Sequence, residues 1–295
     1  MAWLLGLYNN NDALEAPPNN FKYPNQFVSI NEDHSWVQWI NHSTFLLNFD
    51  NYRLLTDPIF SLRCSPFKNL GPKRKVDPAL DISSVLPVDV VLISHNHYDH
   101  LDKYVVKYFV KHSPSTHWLV PKGVKKLMVK LGVQNVTECN WWETVKLSNC
   151  DLIFHFVPAQ HFSGRGFFDT DRSLWGGWVV ENKEKRFYFA GDTGYNSVDF
   201  LDIGNRFESM DLSIIPIGAY SPKKLMACVH CSPEEAVFIH QDVNSKLSIA
   251  SHWKTFNLAE EKMDQPPYDL YKYLEKSNID FTSFRVLNIG QKVNW

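Results

Sequence analysis

The chain has 295 residues, 44% hydrophobic and 21% charged, which is enough apolar mass for a packed core and too little charge for a disordered chain. A formal charge of −2 argues against a nucleic-acid binder, which would carry a strong basic excess. Five scattered cysteines argue against a disulfide framework, and no stretch reaches the ~18 apolar residues of a membrane span.

In chain order, residues 1–11 lack the basic n-region of a secretory signal, so an intracellular protein is expected, cytoplasmic or peripheral to a membrane. Residues 9–26 are rich in Asn and Pro, and residues 1–33 read as an irregular lead-in. Alternating Val, Ile, Phe, Tyr and Trp then predict strands at Trp36–Ile40, Thr44–Asn48 and Tyr52–Thr56, joined as hairpins. A strand over Val88–Ser94 precedes a helix at Lys103–His112. Strands Thr116–Val120 and Asn135–Glu138 flank a helix at Val124–Leu131. Strands Leu152–Pro158, Trp175–Glu181 and Arg186–Ala190 follow, then a helix at Ser197–Phe207 and a strand at Leu212–Ile217. The helix over Ser232–Asn244 has a capping box, with Ser232 as N-cap, Pro233 in the first turn and Glu235 three residues on. Strand Lys246–Ala250, helix Tyr268–Lys276 and strand Phe284–Asn288 complete the pattern. Early hairpins and later strand–helix alternation predict two packed sheets with helices outside.

The chemistry concentrates at strand ends. The run Val90-Val-Leu-Ile93 delivers Ser94-His-Asn-His-Tyr-Asp-His-Leu-Asp102, with three imidazoles and two carboxylates in eight residues. Neutral imidazole nitrogens and hard carboxylate oxygens together suit a divalent metal such as zinc, and a tight loop can aim them at two neighbouring points. His161, Asp192 and His252 each close a hydrophobic strand or its short extension. Loops at strand ends are where α/β proteins build their sites. His34, His112, His117 and His240 lack that setting and read as surface or satisfied core residues. His155 alternates with Phe154 and Phe156 and reads as structural, while His42, in a turn between early strands, could approach the site. Cys228-Val-His-Cys231 is a lone CxxC without a second pair, a weak zinc motif.

His95-Asn-His97-Tyr-Asp99-His100 resembles the HxHxDH signature of the metallo-β-lactamase fold superfamily. Further stretches, among them Leu55-Thr-Asp-Pro-Ile-Phe60, Phe189-Ala-Gly-Asp-Thr-Gly-Tyr195 and His252-Trp-Lys-Thr-Phe256, resemble the family of N-acyl-phosphatidylethanolamine-hydrolysing phospholipases D within it. The resemblance implies an αβ/βα sandwich of two mixed β-sheets with helices outside, as a single hydrolase domain over 34–295. It implies two Zn2+ per chain. His95, His97, His161 and Asp192 would hold one; Asp99, His100, Asp192 and His252 would hold the other, with Asp192 shared. Asp99 and Asp192 are the expected catalytic carboxylates, and Arg165 and His230 the expected substrate contacts. The implied reaction releases N-acylethanolamine and phosphatidic acid. The alternative is a hydrolase of the same fold acting on a soluble phosphodiester, lactone or ester. The expected partners are a phospholipid substrate and a peripheral membrane contact, with no nucleic acid; the resemblance also implies a homodimer. Phe162, Phe167, Phe168, Leu225 and Met226 are candidate apolar surface near the site.

Overall fold

The computed structural model describes residues 14–24, 30–166 and 168–295. Phe167 and most of the N-terminal lead-in lie outside the described residues. In chain order the elements are β1 (Trp36–Asn41), β2 (Thr44–Phe49), β3 (Tyr52–Thr56), β4 (Val90–Leu92), α1 (Lys103–His112), β5 (His117–Pro121), α2 (Lys125–Lys130), β6 (Val136–Cys139), β7 (Thr144–Lys146), β8 (Ile153–Val157), β9 (Gly177–Glu181), β10 (Arg186–Phe189), α3 (Ser197–Phe207), β11 (Leu212–Pro216), α4 (Lys223–Met226), α5 (Pro233–Asp242), β12 (Ser248–Ser251), α6 (Gln265–Lys276), β13 (Phe284–Arg285) and β14 (Lys292–Asn294). They form two seven-stranded sheets, ordered β14-β1-β2-β3-β4-β5-β6 and β13-β12-β11-β10-β9-β8-β7.

The period of two along each strand sorts the core into layers. In β1, Val37 and Trp39 face the second sheet, while Trp36 and Ile40 face outward, in the layer that α1 and α2 also join. In β2, Phe45, Leu47 and Phe49 point inward and Leu46 outward. The inner layer meets Phe154, Phe156, Trp178 and Tyr188 from the second sheet, all fully buried. Each such phenylalanine contributes roughly 1.5–3 kcal/mol relative to exposure. On the outer faces, Val105, Val106 and Phe109 of α1 cover the first sheet, and α3, α5 and α6 cover the second. The result is the expected αβ/βα sandwich. The capping box at Ser232 forms as the sequence requires, and Asp102 caps α1.

Both sheets turn from antiparallel to parallel pairing near the middle. β3, β4, β5 and β6 run parallel, as do β10, β11, β12 and β13. The carboxyl ends of the central strands therefore open on the same edge of the sandwich. Trp178 locks the two sheets there by donating from Nε1 to the Ile93 carbonyl at 2.8 Å.

Candidate metal centre

Six chain segments bring their side chains to that edge. The turn after β4 carries His95, His97, Asp99 and His100. His161 follows β8, Asp192 follows β10 and His252 follows β12. His42 comes from the β1–β2 turn and His230 from the segment between α4 and α5. The turn before Asp192 requires glycine: Gly191 sits at φ +66°, and a Cβ there would lie 2.5 Å from the Ser94 Cβ. His42, His95, His100, His161, Asp192 and His252 are buried, and His97, Asp99 and His230 are half-buried, Asp99 with 14% of its side chain exposed.

Asp192 is the hub. Its Oδ2 lies 3.1 Å from His100 Nε2, 3.0 Å from His252 Nε2, and 3.9 Å from the Nε2 atoms of His95 and His161. His230 Nδ1 stands 4.0 Å away. Among the described residues, the ligand atoms around this hub form four overlapping clusters, two of which, Asp57 with His95 and His100 and His161 with Asp192 and His230, share members with the other two. His95, His97 and His161 converge on one side, and Asp99, His100, His252 and His42 on the other. All seven residues expected from the sequence are thus brought together.

The outer hydrogen bonds decide which way the imidazole lone pairs face. His161 Nδ1 lies 2.7 Å from the Val229 carbonyl, an obligate acceptor, so Nδ1 carries the proton and Nε2 points its lone pair inward. His100 Nδ1 donates in the same way to Asp57 Oδ2 at 2.7 Å. Ser94 Oγ donates to Asp57 Oδ2 at 2.5 Å, which leaves it to accept from His95 Nδ1 at 2.9 Å. Three Nε2 lone pairs therefore aim into one space. Those of His95 and His161 both approach His97 Nδ1, at 2.8 and 3.2 Å, and one proton there could serve only one of them. His100 Nε2, His252 Nε2 and Asp192 Oδ1 are buried without a hydrogen-bond partner, close together but off the line of a bond. A donor set of inward imidazoles, three of them backed by an outer partner, around a shared carboxylate fits divalent metal ions.

Charge balance points the same way. Burial disfavours charge on His100, yet Asp192, Asp99 and Asp57 outweigh it and hold its pKa well above the ordinary value. His252 is likewise pushed up, to about 9, by Asp192 and Asp99 against burial. The Asp192 carboxyl stays well below the usual range despite burial, because His100 and His252 surround it. The pocket calls for positive charge, which protons or metal ions can supply.

Two residues beyond the seven matter. Asp57, at the end of β3, is fully buried and holds Ser94 N, Ser94 Oγ and His100 Nδ1 together. It sits at a strand end, as Asp192 and His252 do, which was its one signal in the sequence. His42 donates from Nε2 to Asp99 Oδ2 at 3.1 Å, with its ring 4.2 Å from that of His252. Burial lowers its pKa to about 3. Sequence reasoning gave it little, because a single His in a turn has no spacing partner.

His230 is 12% exposed at the mouth beside Asp192, and burial lowers its pKa to about 4. Arg165 lies elsewhere. Its Nη1 donates to the carbonyls of Asn96 at 2.6 Å and Leu101 at 2.8 Å, and the guanidinium stacks 3.8 Å from the Tyr98 ring centre. Its Nη1 braces the ligand turn from behind, while Nε and Nη2 are buried without a partner. Tyr98 and Tyr195 pack, with hydroxyls donating to Arg165 O and Asp242. Cys228 is exposed and Cys231 buried; both are free thiols. Around the mouth, Phe162 is 38% exposed, Phe168 88% and Leu225 39%, while Met226 is half-buried.

The family model for the beta-lactamase superfamily domain matches residues 52–253. The chain is 36% identical over 265 residues to N-acyl-phosphatidylethanolamine-hydrolyzing phospholipase D 1 of Caenorhabditis elegans, covering 87% of this chain and 74% of that protein. It is 37% identical over 233 residues to the mitochondrial N-acyl-phosphatidylethanolamine-hydrolyzing phospholipase D of Saccharomyces cerevisiae, covering 77% of this chain but 49% of the yeast protein. Among solved structures, the isothiocyanate hydrolase from Delia radicum gut bacteria superposes with a TM-score of 0.69 at 17% identity, over 88% of this chain and 99% of that one. At that identity the likeness speaks to the fold alone.

Proposed function

The chain belongs to the beta-lactamase superfamily, in the family of the N-acyl-phosphatidylethanolamine-hydrolysing phospholipases D, and from that premise we propose the reaction that this metallo-hydrolase performs. It is a binuclear-zinc phosphodiesterase that hydrolyses N-acyl-phosphatidylethanolamine to N-acylethanolamine and phosphatidic acid. The observation that carries this reading is the double cluster around Asp192 Oδ2, together with relatives named for that reaction.

His95, His97 and His161 would hold one ion and Asp99, His100 and His252 the other, with Asp192 shared. Ions so held supply a water of lowered pKa and stabilise charge on phosphoryl oxygens. The chain's own residues do the rest. Asp99, the most exposed carboxylate of the set, faces the mouth and orients the attacking water; His42 fixes its rotamer. His230, kept neutral, offers a ring N–H to a phosphoryl oxygen. Water adds its oxygen to phosphorus as the P–O bond to the N-acylethanolamine breaks. The proton of water ends on the departing oxygen.

The test is incubation with N-acyl-phosphatidylethanolamine in mixed micelles, with metal analysis of protein purified without chelator. About two zinc per chain and release of N-acylethanolamine are expected. Asp192→Asn should lower release by more than the 10–100-fold typical of a residue that only supports a ligand. Release that persists in that variant would remove Asp192 from the centre. Turnover of a soluble phosphodiester with none of the lipid would overturn the substrate.

A further inference from the structure

The segment between β3 and β4 departs from the rest of the chain in charge. From Pro58 to Val76 it carries Arg63, Lys68, Lys73, Arg74 and Lys75 and no Asp or Glu, in a chain whose formal charge is −2. The same stretch exposes Leu62 at 53%, Phe67 at 62% and Leu70 at 67%. Large apolar side chains this exposed, side by side with unpaired cations, are not what a solvated loop needs.

The segment is firmly built. Arg63 and Lys73 pair as a β-bridge, Cys64 N donates to Pro72 O at 3.2 Å and Arg74 N to Leu62 O at 2.9 Å. Buried Arg74 staples it from beneath, donating to the carbonyls of Ser61 at 3.0 Å and Ile59 at 3.2 Å. Phe67 and Leu70 are therefore held out on a fixed hairpin and cannot fold back into the core.

α1 continues the surface. It has the sequence KYVVKYFVKH, without an acidic residue, and exposes Lys103, Tyr104 and Lys107. Leu62, Phe67, Lys68, Lys103 and Tyr104 border one hollow of about 640 Å³ that reaches Arg165 behind the ligand turn. Among the described residues, Lys68, Lys73, Lys103 and Lys107 have no ion-pair partner within 4.0 Å. On the neighbouring loop, Asp169 turns its carboxylate onto the backbone N–H groups of Arg165 and Gly166. Phe168, in the same loop, is 88% exposed.

We propose that this surface, the 62–75 hairpin with the first two turns of α1 and Phe168, docks the protein on an anionic lipid bilayer. The apolar tips enter the interface and the lysines meet lipid phosphates. Apolar tips alone would suit any bilayer or a second copy of the chain. The lysines select, since two copies of so basic a face would repel. The inference gives the phospholipid reading above its membrane partner and that partner's charge. Its test is independent of turnover, because the vesicles contain no N-acyl lipid.

The test is flotation of the full zinc-loaded chain with vesicles of phosphatidylcholine alone or phosphatidylcholine with phosphatidate, at low and high salt. Tighter, salt-sensitive binding to the phosphatidate vesicles is expected. The double variant Lys68→Glu, Lys73→Glu should lose about fivefold or more in affinity per cation removed, and with it the preference for phosphatidate. The double variant Phe67→Ser, Leu70→Ser should keep the charge preference and lose the binding that survives high salt. Both variants should keep wild-type circular dichroism and wild-type turnover of detergent-dispersed substrate. Equal binding to both vesicles, or unchanged binding in both variants, overturns the proposal. So does conversion of a dimer to monomers by the variants with vesicle affinity unaltered, which would make the surface a contact between copies.

Discussion

Asp57 shows how much of the centre depends on a side chain outside the expected ligand set. Its carboxylate receives Ser94 N at 2.7 Å and His100 Nδ1 at 2.7 Å, and so fixes both the start of the ligand turn and the tautomer of a ligand. Asp57→Asn keeps the shape but replaces one acceptor oxygen with a donor. The expected outcome is a 10–100-fold loss of zinc affinity with the fold intact, read by competition against a chromophoric chelator. Unchanged affinity would show that Asp57 serves the fold only. The four candidate ligands between His95 and His100 were legible because they are crowded into one short run at a strand end. His161, Asp192 and His252 were legible because each ends a hydrophobic strand. His42 and Asp57 reach the centre from the first sheet's hairpins as single residues. His42 has no spacing partner, and Asp57 has only its place at the end of β3 to mark it. Arg165 was singled out by its place four residues after His161, whereas its packing on Tyr98 and the Nη1 bonds to the Asn96 and Leu101 carbonyls had no signal in the sequence.

Among the elements, all strands and helices read from hydrophobic periodicity are present, and the differences lie at their ends. The strand expected over Val88–Ser94 pairs only from Val90 to Leu92, since the chain then turns to place His95. α6 starts at Gln265, earlier than the expected Tyr268, because Pro266 and Pro267 fit a first turn whose N–H groups need no partner. β7, α4 and β14 had no signal: three or four residues are too few to show a period. α5 and β12 are joined by a polar contact with a pH consequence. His240 Nδ1 meets Ser248 Oγ at 2.8 Å, and burial lowers its pKa to about 4. An unfolded histidine titrates near 6.5, so between about pH 6.5 and 4 the unfolded chain binds the extra proton. The stabilisation is complete above the unfolded value and is lost as pH falls through this window. His240→Gln should therefore flatten the pH dependence of the urea midpoint between pH 6.5 and 4 relative to wild type, with the zinc-free proteins compared. Parallel curves would show that His240 is charged or solvated in the fold.

At the scale of the whole molecule, the centre is a joint between two sheets. His95, His97, Asp99 and His100 hang from the first sheet and His161, Asp192 and His252 from the second, so ions shared by the two sets would cross-link the sandwich. Ligands that bind only the native state at 100–1,000 times Kd stabilise it by about 3–4 kcal/mol. Removing metal with a chelator should lower Tm by on the order of 5–15 °C in differential scanning fluorimetry, with recovery on adding zinc back. A Tm indifferent to chelator would mean that the folded chain holds no metal there.

The Asp102 carboxylate does two jobs at once. It caps α1 through Tyr104 N at 2.9 Å, and it holds Ser61 N at 2.8 Å and Ser61 Oγ at 2.9 Å at the root of the basic hairpin. It also stands two residues from His100. The hairpin proposed to meet the lipid and the turn that carries the candidate ligands thus share one anchor, like a keel and a keelson on the same bolt. The draught of the protein in the bilayer is then a fixed dimension of the fold. On the proposed docking, headgroups would arrive at a set height relative to Asp99 and Asp192, and a lipid would have to move by that same height, whatever its acyl chains, before its phosphodiester could react.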